Sequence, residues 1–178
     1  TGKLMGTDSL QLGDVEELQI KQGGCPMDCH YCPFEKDEDG NPTQPRSYLS
    51  TEPGNMRATQ NKHHPVCQTY SRLYQLELMG HISPTGKTPS KCEFIISGGT
   101  FNFYPIKYIE WFVACMYYAC NTYYEWRDTY EDGLLFSLEE EKKINEKAPI
   151  RIIGLTIETR PDYVTPINKK LRGEIDFS

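Results

Sequence analysis

The sequence lacks several features that mark whole classes of protein. No apolar run approaches the ~20 residues that a membrane-spanning helix needs, and the opening residues Thr1 to Gly6 show neither the apolar stretch nor the cleavage site of a secretory signal. Positive charge is not in excess either, since 25 acidic and 19 basic side chains give a formal charge of −6. A broad basic surface for nucleic acid is therefore not indicated, although a local basic groove is not excluded. We expect no membrane partner and a cytoplasmic location, with a nuclear pool as well if the source is eukaryotic.

The cysteines also lack the even number and wide spread of a disulfide framework. There are seven, and three of them lie within eight residues, which favours a reducing compartment. The remaining composition is that of a globular protein, with 38% hydrophobic and 25% charged residues. A chain of 178 residues is long enough for one domain with its own core.

The three clustered thiols belong to the stretch Cys25-Pro-Met-Asp-Cys29-His-Tyr-Cys32-Pro33. Thiols packed this tightly indicate the ligation of a metal or a metal cluster. A tetrahedral zinc site needs a fourth ligand, for which the sequence offers His30, His63, His64 or Cys67. Three thiolates without an obvious fourth suit a 4Fe-4S cluster with one open iron. Both alternatives stay open on spacing alone.

Apolar patterning predicts alternating strands and helices. We expect a strand at 15–22, directly before the cysteine loop, and another at 150–157. The short apolar run at 92–97, bounded by Gly98-Gly99, predicts a parallel strand that is buried on both faces. Two helices are predicted at 66–78 and 109–120. A third begins at the Ser137–Glu140 capping box and carries a Glu139–Lys143 pair, and a fourth begins at Thr165. The segment 33–65 shows no period and is predicted to be a long functional loop.

This order of elements predicts an α/β fold. Strands that alternate with helices form a parallel sheet with the helices outside, and about three βα units are present. We interpret residues 1–14 as an N-terminal extension and 15–178 as part of a larger barrel.

At this point the motifs resemble a known family. The stretches that carry the resemblance, in the family's order, are Cys29-His-Tyr-Cys-Pro33, Gln44-Pro-Arg-Ser-Tyr48, Lys91-Cys-Glu-Phe94, Gly98-Gly-Thr-Phe101, Ser137-Leu-Glu-Glu140 and Gly154-Leu-Thr-Ile-Glu-Thr-Arg-Pro-Asp162. They resemble the catalytic subunit of Elongator, a radical S-adenosylmethionine enzyme that modifies wobble uridine in tRNA. The resemblance implies a partial radical S-adenosylmethionine barrel over 15–178, without the second half of the barrel and without the acetyltransferase-like domain.

The resemblance implies a role for each part of the site. Cys25, Cys29 and Cys32 would each bind one iron, and S-adenosylmethionine would bind the fourth through its amino and carboxylate groups. Tyr31 would lie near the adenine. Lys91 would contact acetyl-CoA, for which a solvated lysine is the alternative.

Further cofactor contacts are expected where the later strands end. Gly98, Gly99 and Thr100 bring backbone groups close to a ligand, and the resemblance implies contact with the methionine amino group; an ordinary strand-to-helix turn is the alternative. Glu158 would accept hydrogen bonds from ribose hydroxyls or from the cofactor ammonium, unless it pairs with Arg160.

Other residues are weaker candidates. The candidates for tRNA contact are Arg46, Arg57, Lys62, His63 and His64, with Tyr48 as a stacking platform, and plain surface charge is the alternative. Cys67, Cys92, Cys115 and Cys120 lie in periodic segments and are predicted to be buried apolar residues.

By resemblance, the intact enzyme makes a radical on the methyl group of acetyl-CoA. That radical adds to C5 of the wobble uridine, and hydrolysis leaves a carboxymethyl group. The implied partners are tRNA, acetyl-CoA and other Elongator subunits. The alternatives are a non-catalytic remnant or interaction module that retains the cluster fold, and a zinc-binding structural protein.

Overall fold

The computed structural model describes residues 25, 27–129 and 135–164. The elements in chain order are α1 (Pro53–Gln60), α2 (Pro65–Leu78), β1 (Ser90–Ile96), α3 (Ile106–Thr129), α4 (Leu138–Asn145) and β2 (Ile150–Ile157). Short 3-10 turns follow the two strands at Phe101–Phe103 and Pro161–Tyr163. The strand predicted at 15–22, the helix predicted from Thr165 and the boundary at residue 14 lie outside the described residues.

The two strands pair in parallel. Ser90 N donates to Pro149 O at 2.8 Å near the start of both strands, and Glu158 N donates to Ile96 O at 3.0 Å where both end. Two helices separate the strands in sequence, so the α/β class with parallel strands is confirmed. The carboxyl ends of neighbouring parallel strands meet at one edge, which here carries Gly98 and Glu158.

The prediction that β1 is buried on both faces is wrong. Its residues alternate between half-buried and exposed positions, and Ile95 is 70% exposed. On β2, Ile153 is 55% exposed. The run of apolar residues in β1 suggested two covered faces, but successive side chains in a strand point to opposite sides and only alternate ones are covered here.

The chain divides into two compact units. Among the described residues, the first unit contains 65–94, 110–129 and 135–154, and the second contains 25, 27–64, 95–109 and 155–164. The core of the first unit is centred on α3, where Val113, Cys115, Ala119, Cys120 and Tyr123 are completely buried. None of the described helices has the length and apolarity needed to cross a bilayer.

Helix α4 begins as the sequence predicts. The Ser137 hydroxyl accepts from Glu140 N and the Glu140 carboxylate accepts from Ser137 N, which completes the capping box. The ion pair on this helix differs from the predicted one, because Glu139 lies 3.8 Å from Lys142 rather than pairing with Lys143.

The segment 33–65 is not irregular throughout, which corrects the prediction. Helix α1 begins at Pro53, whose fixed φ suits the first helical turn. Asn55 is 5% exposed and donates to Gln44 Oε1 at 2.5 Å and to Leu49 O at 3.1 Å. This polar anchor, rather than an apolar stripe, fixes the helix, so hydrophobic periodicity did not reveal it.

The cysteines outside the loop differ in burial. Cys115 and Cys120 are buried as predicted, and desolvation raises the pKa of both thiols. Cys92 is half-buried, and Cys67 is exposed on α2, so the prediction is wrong for Cys67. Its neighbours Pro65, Val66 and Thr69 occupy the buried face of that helix instead.

Candidate metal centre

The three thiols of the cysteine loop all lie in the second unit, and each has a different hydrogen-bond partner. Thr100 Oγ1 donates to Cys25 Sγ at 3.2 Å. Cys32 Sγ lies 3.0 Å from Ser47 Oγ. The Cys29 thiol and its partner Arg160 Nη1 are 2.9 Å apart. Three separate segments of the chain therefore converge on one short loop.

Ser47 reaches Cys32 from an unusual backbone conformation. Its φ is +81°, in the left-handed region that residues with a side chain seldom adopt, and its N–H donates to Pro33 O at 3.0 Å. Backbone strain of this kind persists where the surroundings impose it, and it concentrates at functional sites.

Gly99 allows the segment after β1 to approach the cysteine loop closely. Its φ is +70°, and a Cβ there would lie 3.3 Å from Arg46 O, 3.5 Å from Ser47 Oγ and 3.7 Å from Cys25 Cβ. Glycine is therefore required both for the conformation and for the space. The next residue, Thr100, is fully buried beside Cys25.

Arg160 is fixed by a carboxylate before it reaches Cys29. Its Nε lies 3.0 Å from Asp162 Oδ1 and its Nη2 lies 3.1 Å from Asp162 Oδ2, which leaves Nη1 for the thiol. The paired Asp162 raises the pKa of Arg160, with a smaller contribution from Cys29, and the same pairing lowers the pKa of Asp162. The guanidinium thus presents a fixed positive charge to one sulfur of the loop.

Glu158 lies at the carboxyl end of β2. Its Oε2 accepts from Gly98 N at 3.1 Å and from the Tyr48 hydroxyl at 2.5 Å. Burial, followed by this hydrogen bond, raises the pKa of Tyr48 to about 12. The alternative ion pair with Arg160 does not form, because that guanidinium is paired with Asp162.

The structure places the remaining predicted residues in different surroundings. Tyr31 is 84% exposed, and the negative charge of Cys29, followed by a hydrogen bond to it, raises the pKa of the phenol. Arg46 is held in an ion pair with Asp28 at 2.8 Å, and its guanidinium carbon lies 3.9 Å from the centre of the Phe34 ring.

The remaining charged candidates, Arg57, Lys62 and Lys91, are exposed side chains. Arg57 on α1 and Lys62 just after it are exposed, and Lys62 has a φ of +51°. Lys91 is exposed near the start of β1 and belongs to the first unit, whereas the residues predicted to bind the cluster and S-adenosylmethionine belong to the second.

The donor set fits an iron–sulfur cluster. Each thiol of the loop would bind a different iron, and each has one partner of the kind that tunes such clusters through hydrogen bonds to sulfur. A single ion requires ligands that converge on one point, and in the part of the chain that the structure describes no three His, Cys, Asp or Glu side chains do so.

Sequence reasoning missed three contributions to the site. Ser47 and Tyr48 belong to a motif that carried the family resemblance, but only tRNA contact was predicted for that motif, at Arg46 and Tyr48. Arg160 was considered solely as a partner for Glu158. A signal was present, because both motifs pair polar residues with a proline that restricts the backbone, but no sequence pattern reveals which thiol each residue contacts.

Comparisons with known proteins agree with the resemblance. The chain is 40% identical over 162 residues to the tRNA uridine(34) acetyltransferase of Methanocaldococcus infernus, which covers 89% of this chain and 27% of that protein. It is 37% identical over 135 residues to Elongator complex protein 3 of Schizosaccharomyces pombe, and this match covers 76% of this chain and 22% of that protein. No family model matches. The chain thus spans about a quarter of the length of the curated relatives it matches.

A solved structure shows the same relationship. The archaeal Elp3 of Methanocaldococcus infernus, with residues 1–46 deleted, matches with a TM-score of 0.54 and 37% sequence identity. The match covers 72% of this chain and 25% of that chain. This likeness confirms the predicted α/β fold as part of a radical S-adenosylmethionine barrel.

Proposed function

We propose that this chain, which belongs to the family of tRNA uridine(34) acetyltransferases and Elongator complex protein 3, forms the cluster-binding part of a radical S-adenosylmethionine enzyme that modifies tRNA. The observation that carries the proposal is the arrangement of three thiols on one loop, each hydrogen-bonded to a different residue. Two of these residues, Thr100 and Arg160, follow the carboxyl ends of the strands, where barrel enzymes place their sites.

Cys25, Cys29 and Cys32 would bind three irons of a 4Fe-4S cluster. A cluster of this kind, with S-adenosylmethionine bound, supplies a deoxyadenosyl radical. The chain's own contribution is to hold the thiolates in place: Thr100 and Ser47 offer hydroxyl donors, and Arg160 offers a charged one. Charge-assisted hydrogen bonds are roughly twice as strong as neutral ones, so the three sulfurs are not equivalent.

The edge formed by Gly98 and Glu158 would bind the cofactor. The Glu158 carboxylate is held by Tyr48 and by Gly98 N, which leaves Oε1 free of described hydrogen bonds and able to accept from a hydroxyl or an ammonium group. Half-buried Gly99 would add a backbone group to this edge, whereas the fully buried Thr100 supports the site through its hydrogen bond to Cys25. Tyr31 is exposed beside the loop and offers a ring face to an adenine.

The wider reaction belongs to the whole enzyme. Lys91 would contact acetyl-CoA, as its motif implies, and exposed Arg57 and Lys62 would contact tRNA phosphates. Acetyl-CoA would supply the two-carbon unit that becomes a carboxymethyl group on C5 of uridine. We further propose that the whole enzyme binds other Elongator subunits and acts in the cytoplasm.

Anaerobic reconstitution tests the cluster. The chain is supplied with iron and sulfide, and bound iron, sulfide and visible absorption are measured. We expect four irons per chain in the wild type and the loss of absorption in Cys29→Ala. Cys67→Ala is the matched control, because that thiol is exposed outside the loop; it should retain the cluster. Zinc without sulfide would instead support the structural zinc protein.

Cofactor cleavage tests the activity. The reconstituted chain is mixed with S-adenosylmethionine and a reductant, and deoxyadenosine is measured. Formation of deoxyadenosine supports the enzyme, whereas an intact cluster without any cleavage would favour the non-catalytic module.

A further inference from the structure

The three thiols of the cysteine loop differ in the charge of their hydrogen-bond partners. Two partners, Thr100 and Ser47, are neutral hydroxyls. The third is a guanidinium, and its contact with Cys29 is the shortest of the three at 2.9 Å. A guanidinium group, its charge partly offset by Asp162, therefore lies against one side of the proposed cluster.

Several contacts hold the Arg160 guanidinium in this position. All three guanidinium nitrogens of Arg160 are engaged, two by the Asp162 carboxylate and one by Cys29. The backbone supports the same geometry, since Arg160 directly precedes the 3-10 turn that begins at Pro161, and Tyr163 N donates to Arg160 O at 3.0 Å. Proline fixes φ at the first position of that turn. The Arg160–Asp162 pair is thus held by both side-chain and backbone contacts at a partly exposed position.

We propose that the Arg160–Asp162 pair is a positioning and tuning element that raises the reduction potential of the cluster bound by Cys29. The inference rests on the proposed function. One electron added to the cluster makes it more negative, and a nearby positive charge stabilises the reduced state more than the oxidised state. The reduced state is the one that delivers an electron to S-adenosylmethionine.

The role of Asp162 is distinct from that of Arg160. Its two oxygens orient the guanidinium, and its negative charge also offsets part of the positive charge. In Asp162→Asn the guanidinium keeps its positive charge. It loses the negative charge that offsets it and one of the two carboxylate oxygens that orient it. Because a negative charge near the cluster is removed while the guanidinium keeps its own charge, we expect the potential of this variant to be higher than that of the wild type.

The test is a redox titration of the reconstituted chain, followed by electron paramagnetic resonance of the reduced cluster. In Arg160→Gln we expect the ratio of reduced to oxidised cluster at a fixed potential to fall about tenfold, which corresponds to about 59 mV for one electron. Arg160→Lys, which keeps the charge, should recover much of that ratio. Arg72→Gln is the control: it removes the same charge from an exposed arginine on α2 that bonds Gln75, and it should leave the ratio unchanged.

The outcomes separate the two proposals. A cluster in Arg160→Gln with the wild-type potential overturns the inference and leaves the proposed function intact. If Arg160→Gln fails to fold, Asp162→Asn carries the same measurement, and a wild-type potential in Asp162→Asn overturns the inference. A wild-type chain that binds neither iron nor sulfide overturns the proposed function and this inference with it.

Discussion

Substitution of Gly99 by alanine is the sharpest test of how the site is assembled. The residue has a φ of +70° and lies against the backbone of Arg46, the hydroxyl of Ser47 and the Cβ of Cys25. A methyl group there is disfavoured twice, first by the left-handed conformation and then by the lack of space. The second effect acts on Cys25 and on Ser47, whose hydroxyl contacts Cys32.

The two effects can be separated in magnitude. The left-handed conformation costs a residue with a side chain about 1–2 kcal/mol. The 3.3 Å approach to Arg46 O requires a shift of backbone, for which we add about 1 kcal/mol, at the low end of overpacking costs. Gly40 is the matched control, because its φ is +83° and a Cβ there meets nothing within 4 Å. Only the conformational cost applies to Gly40→Ala.

Urea denaturation followed by circular dichroism measures the difference. We expect Gly99→Ala to unfold at a urea concentration about 0.3–1 M lower than Gly40→Ala, for a slope of about 1–3 kcal/mol per M. Reconstituted Gly99→Ala should also hold less iron than Gly40→Ala, because Ser47 and Cys25 are displaced together. Equal midpoints and equal iron content in the two variants would refute the close approach of Gly99 to the loop.

Three further predictions concern Tyr48 and the capping box. Tyr48→Phe removes the hydrogen bond that orients the Glu158 carboxylate, so the free energy of unfolding should fall by about 1.5–3 kcal/mol and calorimetry of the reconstituted chain should show weaker binding of S-adenosylmethionine. Tyr74→Phe on the exposed face of α2 should match the wild type in both measurements. Because the pKa of Tyr48 is raised to about 12 from 10.0, its contribution to stability is complete below pH 10 and is lost as the pH rises toward 12; Tyr48→Phe should lack that part of the pH dependence. Ser137→Ala should lower the free energy of unfolding by about 1 kcal/mol through the loss of the helix cap, and an unchanged denaturation midpoint would contradict the capping role.

The regular elements were predictable because local signals determine them. Helix α3 shows the 3.6-residue period, and α4 carries its own start signal in Ser137 and Glu140. Helix α1 was not predictable in this way, since its anchor is the polar residue Asn55 bonded to Gln44. A contact of that kind has no period along the sequence.

The thiols were predictable from their spacing, but their partners were not. Cys25, Cys29 and Cys32 are close in sequence, so the pattern itself identifies them. Their partners are separated from them by 75, 131 and 15 residues respectively. Only the fold brings such residues together, and which thiol meets the charged partner depends on the packing of the loop.

The distance of Arg160 along the chain has a consequence for biosynthesis. A ribosome that adds roughly 5–20 residues per second exposes Cys29 about 7–26 s before it makes Arg160, since 131 residues separate the two. During that interval the nascent loop presents its thiols without the charged donor and without β2. We therefore expect metal loading to be completed only after synthesis has passed Asp162. Until then the order of translation leaves the nascent thiols open to incorrect metal occupation.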